Sequence, residues 1–264
     1  AAHADDVPTP VLLGQSLRRA EGKMIRHNVH IGETIATILT DERFIPVAEA
    51  EIRRQRRLIE DYIKADPEFL TTTNPHLPRA DAPEIVRRMC GAAAAADVGP
   101  MAAVAGAIAE FALRAMARAG ATHAVVDNGG DLALLLSHSL TVGIFAGDAK
   151  IRDIGFRFPP RPGIFGVCTS SATVGHSLSF GRAEAAVAVA ENVSLADAVA
   201  TALGNAIQTP DEEHIKDAMQ RLLIPGVEGL LVVIDEMLGA CGDLPDIVNV
   251  RLAVEKISGV SAQP

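Results

Sequence analysis

Apolar and polar residues alternate along positions 23–30 and again along positions 33–40. A period of two sends successive side chains to opposite faces of a strand. With Gly32 between the two runs, the pattern predicts a β-hairpin with one buried face. The period changes over positions 45–65, where Ile52, Leu58, Ile59, Tyr62 and Ile63 share one side of a helix. Its outer side carries Arg53, Arg54, Arg56 and Arg57. Such a run can hold an anion, but among neighbouring glutamates it reads first as a solvated, paired face. Positions 66–79 hold three prolines and read as a loop. Asp81-Ala-Pro-Glu84 predicts a helix start, with Asp81 as cap, and the helix runs to about position 96. Gly99-Pro100 breaks the chain and opens a second helix, to position 119. The first turns of that helix are almost all Ala, Gly and Val, which implies close packing against a backbone or a ligand.

Strand patterns follow at 122–127, 132–136, 140–145 and 151–158, with Gly147-Asp148 turning between the last two. Asn128-Gly-Gly-Asp131 joins the first pair. Positions 166–181 then pack six hydroxyls, one thiol, one imidazole and three glycines into sixteen residues. Apolar strands at 162–167 and 183–190 flank this polar stretch. Positions 194–206 predict a helix with Ser194 as N-cap and Asp197 three residues on. Asp197 and Thr201, four apart, project from one helix face. A polar helix at 211–223 and strands at 230–235 and 246–254 complete the pattern, the last closing the sheet. Strands come in groups rather than in strict βαβ alternation, so the fold class is α+β. The expected organisation is a disordered lead-in at 1–10 and one domain over 11–264.

Composition narrows the functions. Aromatic residues are 3% of the 264, with no Trp, which disfavours a base-stacking surface. A net charge of −9 disfavours a phosphate-backbone partner, so no nucleic acid is expected. No apolar run reaches the ~18 residues that span a bilayer, so no membrane partner is expected. Positions 1–10 carry neither the basic region nor the apolar core of a secretory signal. Cys90, Cys168 and Cys241 are far apart and form no CxxC pair, which points to a reduced, cytoplasmic setting and away from a thiolate zinc site.

Three short pieces can carry chemistry. Asp97-Val-Gly-Pro100 precedes a helix whose free N–H groups suit an anion. Asn128-Gly-Gly-Asp131 places an acid at a tight corner. Cys168 to Gly181 precedes Asp197 and Thr201. Each piece also has a plain structural reading. Asp197 can serve its own helix dipole. His176 can be a general base, or can bond the backbone or a phosphate. Cys168 can be a nucleophile whose pKa nearby helix N-termini lower, or a small buried hydrophobe.

Together and in this order, these pieces resemble the ApbE-like flavin-transferase superfamily, most closely a branch of small, cytoplasmic ApbE-related proteins. The motifs are Val98-Gly-Pro-Met-Ala-Ala-Val-Ala-Gly-Ala-Ile-Ala109, Asn128-Gly-Gly-Asp131, Cys168-Thr-Ser-Ser171 with Gly175-His-Ser-Leu-Ser-Phe-Gly181, and Ala196-Asp-Ala-Val-Ala-Thr-Ala-Leu-Gly-Asn205. The resemblance implies an ApbE-like fold, a mixed or antiparallel sheet flanked by helices. It implies a flavin ligand, FAD or FMN, and Mg²⁺ bridging the pyrophosphate, with FMN then moved onto a threonine of an acceptor protein. By the same resemblance Asp197 and Thr201 are the side-chain metal ligands, Pro100 supplies a carbonyl, and Ser194 lies near the metal. Asp97, Gly129, Gly130, Asp131, Thr169, Ser170 and Ser171 would line the nucleotide, with Cys168 and His176 as candidate catalytic residues. Two departures separate binding from transfer. Ala103 stands where the transferases usually carry a lysine or similar polar residue. The His-x-x-Asp-Pro segment that serves the acceptor hydroxyl is missing, since Gly181-Arg-Ala-Glu184 leads straight into a strand. Two other readings therefore stay open: a small-metabolite enzyme using Cys168 and His176, for example in sulfur assimilation, and a non-catalytic ligand-binding protein. Alanine-rich helix surfaces also allow a homodimer.

Overall fold

A computed structural model of the protein describes residues 24–147, 149–151, 153–171 and 181–250. The expected lead-in, Asp148, His176 with most of its polar stretch, and positions 251–254 of the last expected strand lie outside the described residues.

The opening hairpin forms as β1 (Met24–Ile31) and β2 (Thr34–Asp41), with Gly32 turning at φ +57°. Helix α1 (Ile45–Ala65) follows, and its arginines are largely paired: Arg53 with Glu49, Arg54 with Glu51, and Arg56 with Glu60 and the Thr34 hydroxyl. A single turn of helix, α2 (Glu68–Thr71), stands where a plain loop is expected. Phe69 explains it. Its ring is fully buried and meets Tyr62 edge-on at 5.1 Å, and one helical turn delivers it there. Helix α3 (Glu84–Ala96) starts at Pro83, so Asp81 is not its cap and instead pairs with Arg79.

A 3₁₀ turn at Pro100–Ala103 leads into α4 (Val104–Arg118). Contrary to the expectation from the sequence, the continuous helical stretch Pro100–Arg118 is long and apolar enough, by length and composition, to cross a membrane, because its apolar residues are interrupted only by Glu110 and Arg114 before the closing Arg118. It is mostly buried inside the protein and packs against both α5 and the large sheet.

The chain then forms β3 (Ala124–Asn128), β4 (Asp131–Leu136), β5 (Leu140–Ile144), β6 (Ile154–Phe158), β7 (Arg161–Ser170) and β8 (Ala185–Ala190). Helices α5 (Val193–Ala206) and α6 (Glu212–Leu222) precede β9 (Val227–Ile234), β10 (Met237–Gly242) and β11 (Asp246–Asn249). Asn192, not Ser194, caps α5, its side chain accepting from the Leu195 N–H at 3.1 Å. The glycine-rich β10 gives no strand pattern in the sequence. Gly239 lies beneath Ile215 and Met219 of α6, where a Cβ would be 3.1 Å from each.

Among the described residues, eight strands make an antiparallel sheet in the order β1-β2-β3-β4-β7-β8-β9-β10. The smaller sheet is β11-β6-β5, so the last strand pairs with β6 and does not close the large sheet. Period-two alternation sorts the side chains between two cores. Ala133, Cys168, Ala186, Ala188 and Ala190 face the helices, while Leu132, Leu134, Phe165, Val167, Val187 and Val189 face the smaller sheet. The helix-facing residues are small because α5 lies close. A Cβ on Gly166 would sit 2.7 Å from the Val193 Cα.

Candidate active site

The strand register places a polar row in the middle of the helix-facing side of the large sheet. Asn128 pairs with Asp131, Asp131 with Cys168, and Cys168 with Ala188. Ala36 stands beyond Asn128. Directly opposite residues share a face, so Asn128, Asp131 and Cys168 form one short line between alanines. The line exists because the β3–β4 turn has only two residues, Gly129 and Gly130, at φ +73° and +103°. Such a turn needs positive φ at both positions, which glycine adopts without steric cost. The Gly130 N–H donates to Asp127 Oδ1 at 3.0 Å and closes the turn.

Two helices lie over this row. Asn128 Nδ2 donates to the Ala105 carbonyl at 3.1 Å, holding the first turn of α4 against β3. On α5, Asp197 turns its carboxylate to the same turn, and Oδ2 accepts from the Gly106 N–H at 2.7 Å. Gly106 has to be glycine, since a Cβ there would fall 2.7 Å from the Asp197 Cβ and 2.8 Å from the Val193 carbonyl oxygen.

The electrostatics of this corner are one-sided. Burial raises the Asp197 carboxyl to about 7, against the stabilising hydrogen bonds from the Gly106 and Ala105 backbone. Burial also raises Asp131 well above the usual carboxylate range, and the Asp197 and Asp127 charges add to the rise. The Cys168 thiol is pushed up too, first by burial and then by the Asp131 and Asp197 charges. The expected lowering by helix N-termini is thus overridden by burial first and by the two carboxylates after it, and a neutral thiol is a poor nucleophile. Its Sγ lies 3.6 Å from the Val193 carbonyl oxygen. Among the described residues, no cationic side chain forms an ion pair with Asp131 or Asp197.

The structure brings only some of the expected residues together. Asp131, Cys168 and Asp197 meet, and Ser170 joins them from the helix-facing side of β7, packed against Gly204 of α5. Thr201 is half-buried one turn beyond Asp197, and Ser171 is half-buried just past β7. Thr169 pairs with Val187 and so shares the face turned to the smaller sheet. Asp97 is exposed at the left-handed C-cap of α3, φ 55°, and turns the chain toward the buried Gly99 and Pro100. The turn itself is braced, as a Cβ on Gly99 would strike the Thr72 carbonyl oxygen at 2.0 Å. The Ser194 hydroxyl is engaged elsewhere, donating to Glu110 Oε2 at 3.1 Å.

Sequence reasoning passed over Asn128 as a side chain, Gly106 and Glu110. Asn128 was within reach, since a two-residue turn pairs positions 128 and 131. Glu110 gives no such signal: it is one acid on an apolar helix, and its partners come from distant positions.

A family model described as "AbpE bacteria" matches residues 17–226, from ahead of β1 to the turn before β9. The chain belongs to the AbpE bacteria family. Every described site residue lies within the matched span. Similar to this AbpE bacteria family member is the UPF0280 protein of Methanocella arvoryzae, 49% identical over 229 residues, which cover 86% of this chain and 93% of that one. The UPF0280 protein of Methanosarcina acetivorans is 44% identical over 236 residues, covering 89% and 93%. The crystal structure of the ApbE protein of Thermotoga maritima shares the fold, with a TM-score of 0.51, 14% identity and coverage of 90% and 100%. The α+β, ApbE-like architecture expected from the motifs is therefore the observed one.

Proposed function

We propose that the protein binds a flavin or other nucleotide pyrophosphate together with a divalent cation, between the Asn128–Asp131–Cys168 row and α5. One observation carries this reading: two carboxylates, the half-buried Asp131 and the buried Asp197, approach from opposite layers, burial raises the proton affinity of both, and the Asp197 charge raises that of Asp131 further. An arrangement that burial and like charge both disfavour persists where a cation offsets it.

The donor set fits magnesium. It is made of oxygens, and no group of three or more His, Cys, Asp or Glu among the described residues could hold a metal by itself. Mg²⁺ typically binds one or two carboxylates and completes its shell with water and substrate phosphate. Asp197 and Asp131 would hold it, with the Thr201 hydroxyl and Pro100 carbonyl as further donors. When bound, the cation supplies charge neutralisation on the pyrophosphate. The chain's own residues do the rest. Asn128 and the Gly106 N–H fix the first turn of α4 and the Asp197 carboxylate, and the glycine turn at 129–130 lets a ligand approach the backbone. With Ala103 in place of a polar side chain and no acceptor-activating segment, binding or hydrolysis fits these residues better than transfer to a protein threonine.

Equilibrium dialysis of FAD against the folded protein, with Mg²⁺ or with EDTA, tests the reading. Saturable binding that needs Mg²⁺ and weakens at least about tenfold in Asp197→Asn is the expected result. Release of FMN and AMP in the same samples reports turnover. A well-folded protein that binds no FAD under either condition overturns the proposal.

A further inference from the structure

The helical layer holds a second buried acid that the proposed ligand does not use. Glu110 of α4 is 2% exposed, and its carboxylate takes four donors. Oε1 lies 3.0 Å from Arg88 Nη1 of α3 and 2.8 Å from Arg114 Nη2 of α4. Oε2 accepts from the Ser194 N–H at 3.3 Å and from the Ser194 hydroxyl at 3.1 Å. A carboxylate has about four acceptor positions, so Glu110 has none to spare.

The placement is more informative than the count. Ser194 is in the first turn of α5, so Glu110 satisfies one of the N–H groups that a helix leaves unpaired there. Asn192 satisfies the next, at Leu195. Glu110 also lies one turn beyond Gly106 on α4, as Asp197 lies about one turn beyond Ser194 on α5. The two helices are therefore joined by two hydrogen-bonded contacts about one turn apart, Glu110 to Ser194 and Gly106 to Asp197. Side chains four apart on a helix face the same way. Moving the start of α5 relative to α4 at the first contact would open the second.

We infer that Glu110, braced by Arg88 and Arg114, is a positioning residue that sets the Asp197 carboxylate through Ser194. The inference rests on reading Asp197 as the ligand-binding carboxylate, but its central test needs no ligand. Amide hydrogen exchange is followed at Gly106, at Ser194 and at Val232 in the middle of the sheet, in the wild type, Glu110→Gln and Ser194→Ala. The amide side chain of Glu110→Gln cannot accept from all four donors. Protection at Gly106 should fall about tenfold in Glu110→Gln while Val232 keeps its value. Ser194→Ala, which removes only the hydroxyl bond, should move Gly106 in the same direction by less. It also decides the matter if Glu110→Gln does not fold. Gly106 keeping wild-type protection while Ser194 loses it would overturn the inference, as would an equal loss at all three amides. A second measurement links the clamp to the ligand: Mg²⁺-dependent FAD binding should weaken several-fold in Ser194→Ala, while protection at Val232 keeps its wild-type value. A wild type that binds no FAD would sink the proposed function and leave the exchange result to judge the clamp.

Discussion

Asp197 occupies a position that an isolated carboxylate avoids, and its cost is readable as a pH dependence. Its value in the folded protein, about 7, lies above the roughly 3.9 of an unfolded Asp. Between those values the folded state holds a proton that the unfolded state has released. Stability without metal therefore falls as pH rises from about 4 to about 7, then levels off, by an amount on the order of 2–4 kcal/mol. Thermal melts in EDTA across that range should show the decline. Asp197→Asn should flatten it and added Mg²⁺ should reverse it, whereas an Asp197→Asn melt as steep as the wild type would assign the slope to another group. The neighbouring thiol belongs to the same calculation. The sequence presents Cys168 as a choice between a reactive group and a small hydrophobe. The decision depends on how deeply it is buried and on which charges come near it, and those arrive from Asp131 on the next strand and Asp197 on a helix.

Single elements were legible wherever one periodicity ran unbroken. The alternation at 23–40 and the helical spacing at 45–65 gave β1, β2 and α1 almost to the residue, because burial of one face overrides weaker local preferences. Boundaries failed where a cap or a tertiary contact decided them. Asp81 turned to Arg79, Ser194 to Glu110, and Phe69 drew a helical turn out of a proline-rich loop. The run of small residues opening α4 was readable as close approach, but whether to a backbone or to a ligand was not. The structure shows α5 as the neighbour. Two glycine substitutions separate the possibilities. Gly106→Ala puts a methyl group into the α4–α5 crossing and should cost about 1–3 kcal/mol. Gly91→Ala, in the middle of α3 with nothing within 4 Å of the added Cβ, should gain about 0.5–1 kcal/mol. Urea denaturation of both variants checks the pair, and a neutral Gly106→Ala would mean that the crossing has slack.

At the scale of the whole molecule, the smaller sheet lets the central strands be apolar on both faces, with alanines toward the helices and Val, Leu and Phe toward β5 and β6. The α+β class was legible from grouped strands. The polar row was not, because it is a property of register: β4 reaches β7 across the β5–β6 hairpin, and β2 reaches β3 across residues 42–123. Those long separations also set the order of events when the chain folds. Non-local strand pairing is slow, on the scale of milliseconds to seconds, and we expect α5 to reach the row only after β7 and β8 are made. On that expectation Asp131 and Asp197 should meet late, on the native side of the main barrier. A cation that relieves their repulsion should act on the rate of escape from the native state and leave the rate of reaching it nearly unchanged. Stopped-flow measurements with Mg²⁺ at about 100 times its dissociation constant should place most of the roughly 2.7 kcal/mol of added stability in slower unfolding. Faster refolding instead would mean that the two carboxylates are already together when the barrier is crossed.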